Sequence, residues 1–418
     1  MRLSLLLSAS LLLGLAPAAH ALSLPEAIDA ARTYSPLMGE ARAQRDAARA
    51  RLVQARGAAL PNVVISAEAG EGEADLGGFF GFQDSDMSPR AAAIELRQPL
   101  FAGGAIAGAI RQAGAGREMA AYRLDGAQAG LSLMVARAYA GVLTATEVRA
   151  LHQAQVTQME EIVRHARLRF EAGEIPRTDL AQAQARAAEA RAGLAQASGG
   201  LEAARAGFFA IVGQEPEGLE EPAAPPAAAG SRDQAVEMAL AQNQDLKAAE
   251  AAHRAARAGV AVARAERLPS LALVARASSM RDQFFPGYRS DGSTIGVQGR
   301  MTLFSSGAVS GRISEAQAQA RAAEARLQGA RDAVRAEAIT AFEGHAAAVA
   351  SLVAARERAE AAGLALETMR HEVRVGQRTT LELLDAEREA LSARTALAHV
   401  RGEAVVAVYR LNAAVGAD

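Results

Sequence analysis

Residues 101–213 of this 418-residue chain recur as residues 304–416 at an unbroken offset of 203. Phe101 answers to Phe304, Gly104 to Gly307, Gly126 to Gly329, Gly141 to Gly344, Gly173 to Gly376 and Gly213 to Gly416. Residues 24–61 recur as 232–269 at an offset of 208, with Leu60-Pro61 answered by Leu268-Pro269. Two copies of one unit therefore fill most of the chain, and whatever fold one copy takes the other must take too. An ungapped register over 101–213 suits rigid helices. The change of offset from 208 to 203 falls between residues 61 and 101, where a loop absorbs it. Between the copies, residues 214–230 hold four of the 13 prolines and serve as the linker. The chain thus divides into residues 1–21, a first repeat 22–213, the linker 214–230 and a second repeat 231–418.

Residues 1–21 have the form of an address. Met1-Arg2 supplies positive charge, Leu3 to Leu15 is apolar apart from Ser and Gly, and Ala19-His20-Ala21 is a small-x-small cleavage site. This is a secretory signal peptide with cleavage expected after Ala21. Its apolar stretch is shorter than the ~20 residues of a spanning helix, and no later segment reaches that length free of charges. Any membrane residence of the mature chain must then come from β-strands.

Each copy is patterned helix, strand, loop, strand, helix, helix. Residues 24–59 are helical and end at Pro61. Strands are expected at about 63–72 and 90–101, and in the second copy at about 270–279 and 293–304. Ile94 and Leu96 alternate with Glu95 and Arg97, and Ile295, Val297 and Met301 with Gln298, Arg300 and Thr302. One apolar and one polar face fits either a soluble hairpin or a transmembrane barrel strand. The aromatics favour the barrel. Phe79, Phe80, Phe82, Phe284, Phe285 and Tyr288 fall in the two loops, and Phe101 and Phe304 at the far ends, as interfacial girdles require. A long helix follows, 105 to about 172, which at 1.5 Å per residue is roughly 100 Å. It turns at 173–178, and its copy turns at 376–380. The expected fold is α plus transmembrane β, an elongated coiled-coil rod carrying four strands whose open edges need oligomerisation to close.

Composition fits that picture. The chain has 106 Ala, 44 Arg, a single Lys (Lys247), 16 aromatics and no Cys. Small side chains let long helices approach closely, and few aromatics suit a thin wall better than a large core. A net charge of −2 gives no basic surplus for nucleic acid. Without Cys there is no disulfide, no thiolate metal site, no thiol nucleophile and no lipid attached through sulfur. The seven His show no zinc spacing, Gly70 and Gly72 complete no dinucleotide fingerprint, and no serine elbow appears. No enzyme, cofactor or metal site is expected.

At the junctions and turns the chain resembles the TolC family of outer-membrane efflux and secretion channels, over essentially all of 22–418. The resemblance is carried by LPEAIDAARTYSPLM (24–38), LPNV (60–63), QPLFAGG (98–104), and above all the turns RFEAGEIPRTDLAQAQ (169–184) and EVRVGQRTTLELLDAE (372–387). It implies a homotrimer whose strands, four from each subunit, make one twelve-stranded barrel above a periplasmic tunnel of coiled coils. It also implies partners: outer-membrane lipid, a periplasmic adaptor (membrane fusion protein) and an inner-membrane pump of ABC or RND type, for export of small molecules or proteins. Carried over residue by residue, Thr178, Asp179 and Arg378 match a periplasmic gate, Glu382 and Asp385 an acidic constriction ring, and Gly173 and Gly376 the turns that meet partners. Where the family's best-known member has Tyr in the second turn this chain has Val373, which removes one inter-helix hydrogen bond. Independently of the resemblance, Glu382 and Asp385 share a helix face, and Arg378 has the fork to grip a carboxylate such as Asp179. The plainer reading makes all of these solvated helix charges. The sequence lies closer to the secretion-associated branch, and the lack of Cys excludes the lipoprotein type. The rival to a channel is a periplasmic coiled-coil adaptor or scaffold, which would carry one helical hairpin rather than two.

Overall fold

The computed structural model describes residues 21–74, 85–223 and 225–417. Residues 1–20 of the expected signal peptide, and Phe79, Phe80 and Phe82, lie outside the described residues. In chain order the elements are α1 (Leu24–Tyr34), α2 (Pro36–Gly57), β1 (Asn62–Ala69), β2 (Gly72–Ala74), β3 (Ser85–Met87), β4 (Arg90–Phe101), α3 (Ala105–Glu171) and α4 (Arg177–Val212). The second copy supplies α5 (Arg232–Gln242), α6 (Gln244–Ala265), β5 (Ser270–Arg281), β6 (Arg289–Arg300), α7 (Ala308–Arg374) and α8 (Thr380–Val415). Every helix of the first copy recurs with identical bounds, α1 and α2 at an offset of 208 and α3 and α4 at 203.

One expected helix is two. The run 24–59 breaks after Tyr34, because Pro36 has no N–H and its ring keeps Ser35 out of the helical region. The second copy has no proline there and breaks by another route. Asn243 (7% exposed) accepts hydrogen bonds from the Asp245 and Leu246 backbone N–H groups at 2.9 and 3.1 Å, capping α6. A further correction concerns apolar length. α3 and α7 are each long enough, and each holds one stretch apolar enough, to cross a membrane by those criteria alone. Alanine raises the average of such stretches without large side chains.

The contacts divide the chain into two compact units. The unit made of Gly39–Ala127 and Leu240–Ala336 holds a four-stranded antiparallel sheet ordered β1-β4-β5-β6, with β2 and β3 pairing separately. Its register sorts the side chains by face. Val63, Leu96, Ala275 and Ile295 form one cross-strand row, and Ile65, Ile94 and Ala277 run beside it on the same face. The alternate row is Val64, Glu95, Arg276 and Thr294, with opposite charges directly paired on β4 and β5. Ile65 and Ile295 are each 75% exposed, an apolar face with none of the described residues over it. β6 ends at Arg300, opposite Ser270, rather than near 304. Beyond Ser270 its neighbour turns away at Pro269, so Met301 to Phe304 alternate in sequence without a ladder to join. At the loop end Tyr288 meets Phe284 and Phe285 edge-on, at centroid distances of 5.0 and 5.3 Å.

The other unit gathers the described residues up to Met38, Gln128–Ala239 and the residues from Glu337 on. Its core near the turns interleaves Val156, Met159, Ile162 and Ala166 of α3 with Ala183 and Ala187 of α4, Leu366 of α7, and Leu383, Leu384 and Ala390 of α8. A second cluster joins Ala229 and Ala235 to Ala341, Leu411 and Val415. The linker is fastened there: Asn412 accepts from the Ala228 N–H at 3.0 Å and donates to the Pro226 carbonyl at 3.3 Å.

Candidate functional site: the two hairpin tips

α3 and α7 end alike. Gly173 and Gly376 sit in the left-handed region (φ 78° and 77°), where a side chain would be strained. The Gly173 N–H donates to the Phe170 carbonyl at 3.0 Å and Glu174 to Arg169 at 2.9 Å. Gly376 and Gln377 repeat the pattern onto Val373 and Glu372 at 3.1 and 2.9 Å. Both are Schellman motifs, which satisfy the last carbonyls of a helix while reversing the chain.

The entries into the return helices differ. α4 starts after Pro176, which offers no side-chain cap. Thr178 and Asp179 lie in its first turn, where Thr178 Oγ1 approaches Asp179 Oδ1 at 3.4 Å and the Asp179 N–H reaches the Pro176 carbonyl at 3.2 Å. The positive end of the helix dipole favours a carboxylate at Asp179. α8 starts after Thr379 with a complete capping box. The Glu382 N–H donates to Thr379 Oγ1 at 3.3 Å, while the Thr379 N–H and Oγ1 donate to Glu382 Oε2 at 2.8 and 2.9 Å. The spacing T-x-x-E at 379–382 announces this box, a signal the sequence reading passed over.

Arg378 does not reach Asp179 within the described residues of one chain. Its Nε donates to Glu372 at 3.0 Å and its Nη1 to Glu382 at 2.9 Å. These acids belong to Arg378's own hairpin, one on each side of the turn, so no other element need approach. The Thr379 backbone and side-chain donors, with Arg378 behind them, hold the Glu382 carboxyl below the usual carboxylate range, and the two acids raise Arg378 above its own. Asp385, one turn along α8, pairs with Arg388 at 3.6 Å. Glu382 and Asp385 therefore share a helix side with unequal freedom: the first is spent on its cap, the second holds a weak surface pair. Val373 packs partly buried against the four-helix core.

One charge near the second tip is buried. Glu387 is 3% exposed and accepts from Arg370 Nε and Nη2 at 3.0 and 2.7 Å, joining α7 to α8. At the corresponding places the first copy has Arg167 and Gln184, both exposed. Among the described residues no cluster of His, Asp or Glu could hold a metal ion.

Residues 27–214 and 235–417 match the outer membrane efflux protein family. The outer membrane efflux protein BepC of Brucella suis is 32% identical over 329 residues, covering 77% of this chain and 71% of that protein. The outer membrane protein TolC of Vibrio cholerae is 27% identical over 421 residues, covering 96% and 92%. The crystal structure of the CmeC outer membrane channel of Campylobacter jejuni shares the fold with a TM-score of 0.83 at 17% identity, over 94% of this chain and 85% of that one.

Proposed function

Because the chain belongs to the outer membrane efflux protein family, we propose that it assembles as a homotrimer forming the exit duct of a tripartite efflux pump or type I secretion system. An outer-membrane location follows from the family itself. The observation that carries the duct is the sheet. It has one apolar and one charged face and two open edges, β1 and β6, and each unpaired backbone group would cost several kcal/mol in lipid. Three copies joined edge to edge remove those edges and turn the charged face inward. A periplasmic adaptor has no use for such a sheet.

In this reading the hairpin tips form the periplasmic mouth. They meet an adaptor and an inner-membrane pump, and Thr178, Asp179 and Arg378 act at the gate. Glu382 and Asp385, repeated around the axis, favour cations as charged rings in pores do. Cargo passes through and is not converted.

The absence of Cys makes the test clean. In outer-membrane vesicles, Thr294→Cys on the charged face should react with a water-soluble maleimide. Ile65→Cys should react only with a lipid-soluble one. Equal reaction of both with the water-soluble reagent would leave no barrel to propose.

A further inference from the structure

The four-stranded sheet gathers like charges in one row only. Arg90 of β4 stands directly opposite Arg281 of β5, which in turn stands opposite Arg289 of β6. Like charges directly opposed across strands destabilise a sheet unless a counter-charge meets them. On the charged face the sheet avoids this by setting Glu95 against Arg276. In the arginine row a single acid answers: Asp291 accepts from Arg281 Nη1 and Nη2 at 3.1 and 3.0 Å. Arg281 Nη1 also donates to the Met280 carbonyl at 2.9 Å. That bridge is the row's one ion pair among the described residues, and Arg90 and Arg289 stand exposed on either side of it. Three cations and one anion leave a surplus of two positive charges.

The row lies on the apolar face. Arg90 and Leu96 are an even number of residues apart on β4, and the pairing with β5 runs between them without a shift, so both point the same way. β5 sends Leu271, Leu273, Ala275, Ala277 and Ser279 to that face before Arg281. From Leu271 to Arg281, at about 3.4 Å per residue and a tilt of about 40°, the rise is about 26 Å, against an apolar band of about 25 Å in outer-membrane barrels. Arg281 thereby reaches the edge of the hydrocarbon. It does so at the end away from the helices, because α2, α3, α6 and α7 all join the strands at the other end. The ladder is closed there. The Asp282 N–H donates to the Tyr288 carbonyl at 2.8 Å, and Asp282 Oδ1 accepts from the Gly287 N–H at 2.6 Å. The acids Glu73 and Asp86 oppose each other on the separate β2–β3 pair, and no ion pair among the described residues joins them to the row.

We propose that Arg90, Arg281 and Arg289 form a site for the phosphate groups of an outer-leaflet lipid headgroup. A guanidinium presents a planar fork that fits two phosphate oxygens. Asp291 holds the middle side chain in place, so that Arg90 and Arg289 flank a fixed centre with their forks unspent. A headgroup bearing two phosphates offsets the surplus charge of the row, while its acyl chains cover the apolar rows of Ile94 and Ile295 below it. A free phosphate meets the same forks but brings no chains for that surface. The inference rests on the apolar face meeting lipid, as in the barrel proposed above, and adds the class of lipid that the face selects.

Mature protein purified from outer membranes and exchanged into neutral detergent supplies the test. It is titrated with a diphosphorylated lipid A and with the same lipid lacking phosphate, and bound lipid is counted by native mass spectrometry. The phosphorylated lipid should bind more tightly, and Arg90→Gln with Arg289→Gln should weaken it about tenfold through the loss of two charge-assisted contacts. Arg97→Gln, on the charged face, should leave that binding unchanged. Inorganic phosphate should displace the lipid no better than chloride at equal ionic strength. Equal binding of the two lipids, an unaltered affinity in the double variant, an equal loss in Arg97→Gln, or displacement by inorganic phosphate would each overturn the site. Ile65→Cys separates that outcome from failure of the barrel. If it is shielded from a water-soluble maleimide while phosphate preference is absent, the barrel stands and the lipid site falls; if it reacts, both fall.

Discussion

At Gly173 and at Gly376 the same backbone motif ends a 67-residue helix, yet different side chains hold the two tips. The first tip relies on packing: Ile175 sits partly buried against the four-helix core, Pro176 starts α4 without a cap, and Arg169 pairs with Glu174 at 3.2 Å. The second puts Arg378 where the first has Ile175 and Thr379 where it has Pro176. It adds a capping box, a guanidinium bridging two acids and a buried ion pair a few residues on. Duplication supplied one hairpin twice. The two copies therefore share a backbone turn and differ in the side chains that tie it.

The largest test of that asymmetry is the buried pair. Arg370→Ala leaves Glu387 buried without its partner and should destabilise the protein by about 3 kcal/mol, the low end for such a loss because the guanidinium is partly in water. Its counterpart Arg167→Ala is an exposed change and should fall within about 0.5 kcal/mol. Denaturant midpoints of the two variants, measured side by side, decide it; equal losses would erase the distinction.

The caps come next. Thr379→Ala should cost about 1 kcal/mol and Pro176→Ala much less. The second tip carries a pH dependence. The Glu382 carboxyl is held below its unfolded value, so its contribution is present above that value and is lost as pH falls through the folded pKa. Amide exchange at Thr379 and Glu382 should therefore accelerate in acid, below the ordinary carboxylate value of about 4.3. In Glu382→Gln the box survives and this acceleration should vanish.

Much of this was legible in the sequence. The repeat offsets, Gly173 and Gly376, and the two-faced strands follow from periodicity and from the one residue that tolerates positive φ. The strand end at Arg300 did not, because pairing depends on a neighbour, and Ser270 is where that neighbour begins. Glu387 did not either: on a helix a carboxylate reads as solvated until a facing Arg370 is seen to cover it. Arg378 precedes the N-cap Thr379, so its hold on Glu382, like its hold on Glu372 across the turn, needed the fold.

The smallest effect on stability falls at the proposed gate. Arg378→Ser removes only exposed ion pairs, yet it unties the second tip from both of its acids. Single-channel conductance of the mature protein in planar bilayers is the direct measurement. Discrete, narrow channels are expected for the unaltered protein and a higher conductance for Arg378→Ser. Unchanged conductance in the variant, or no channel from either protein, would contradict it.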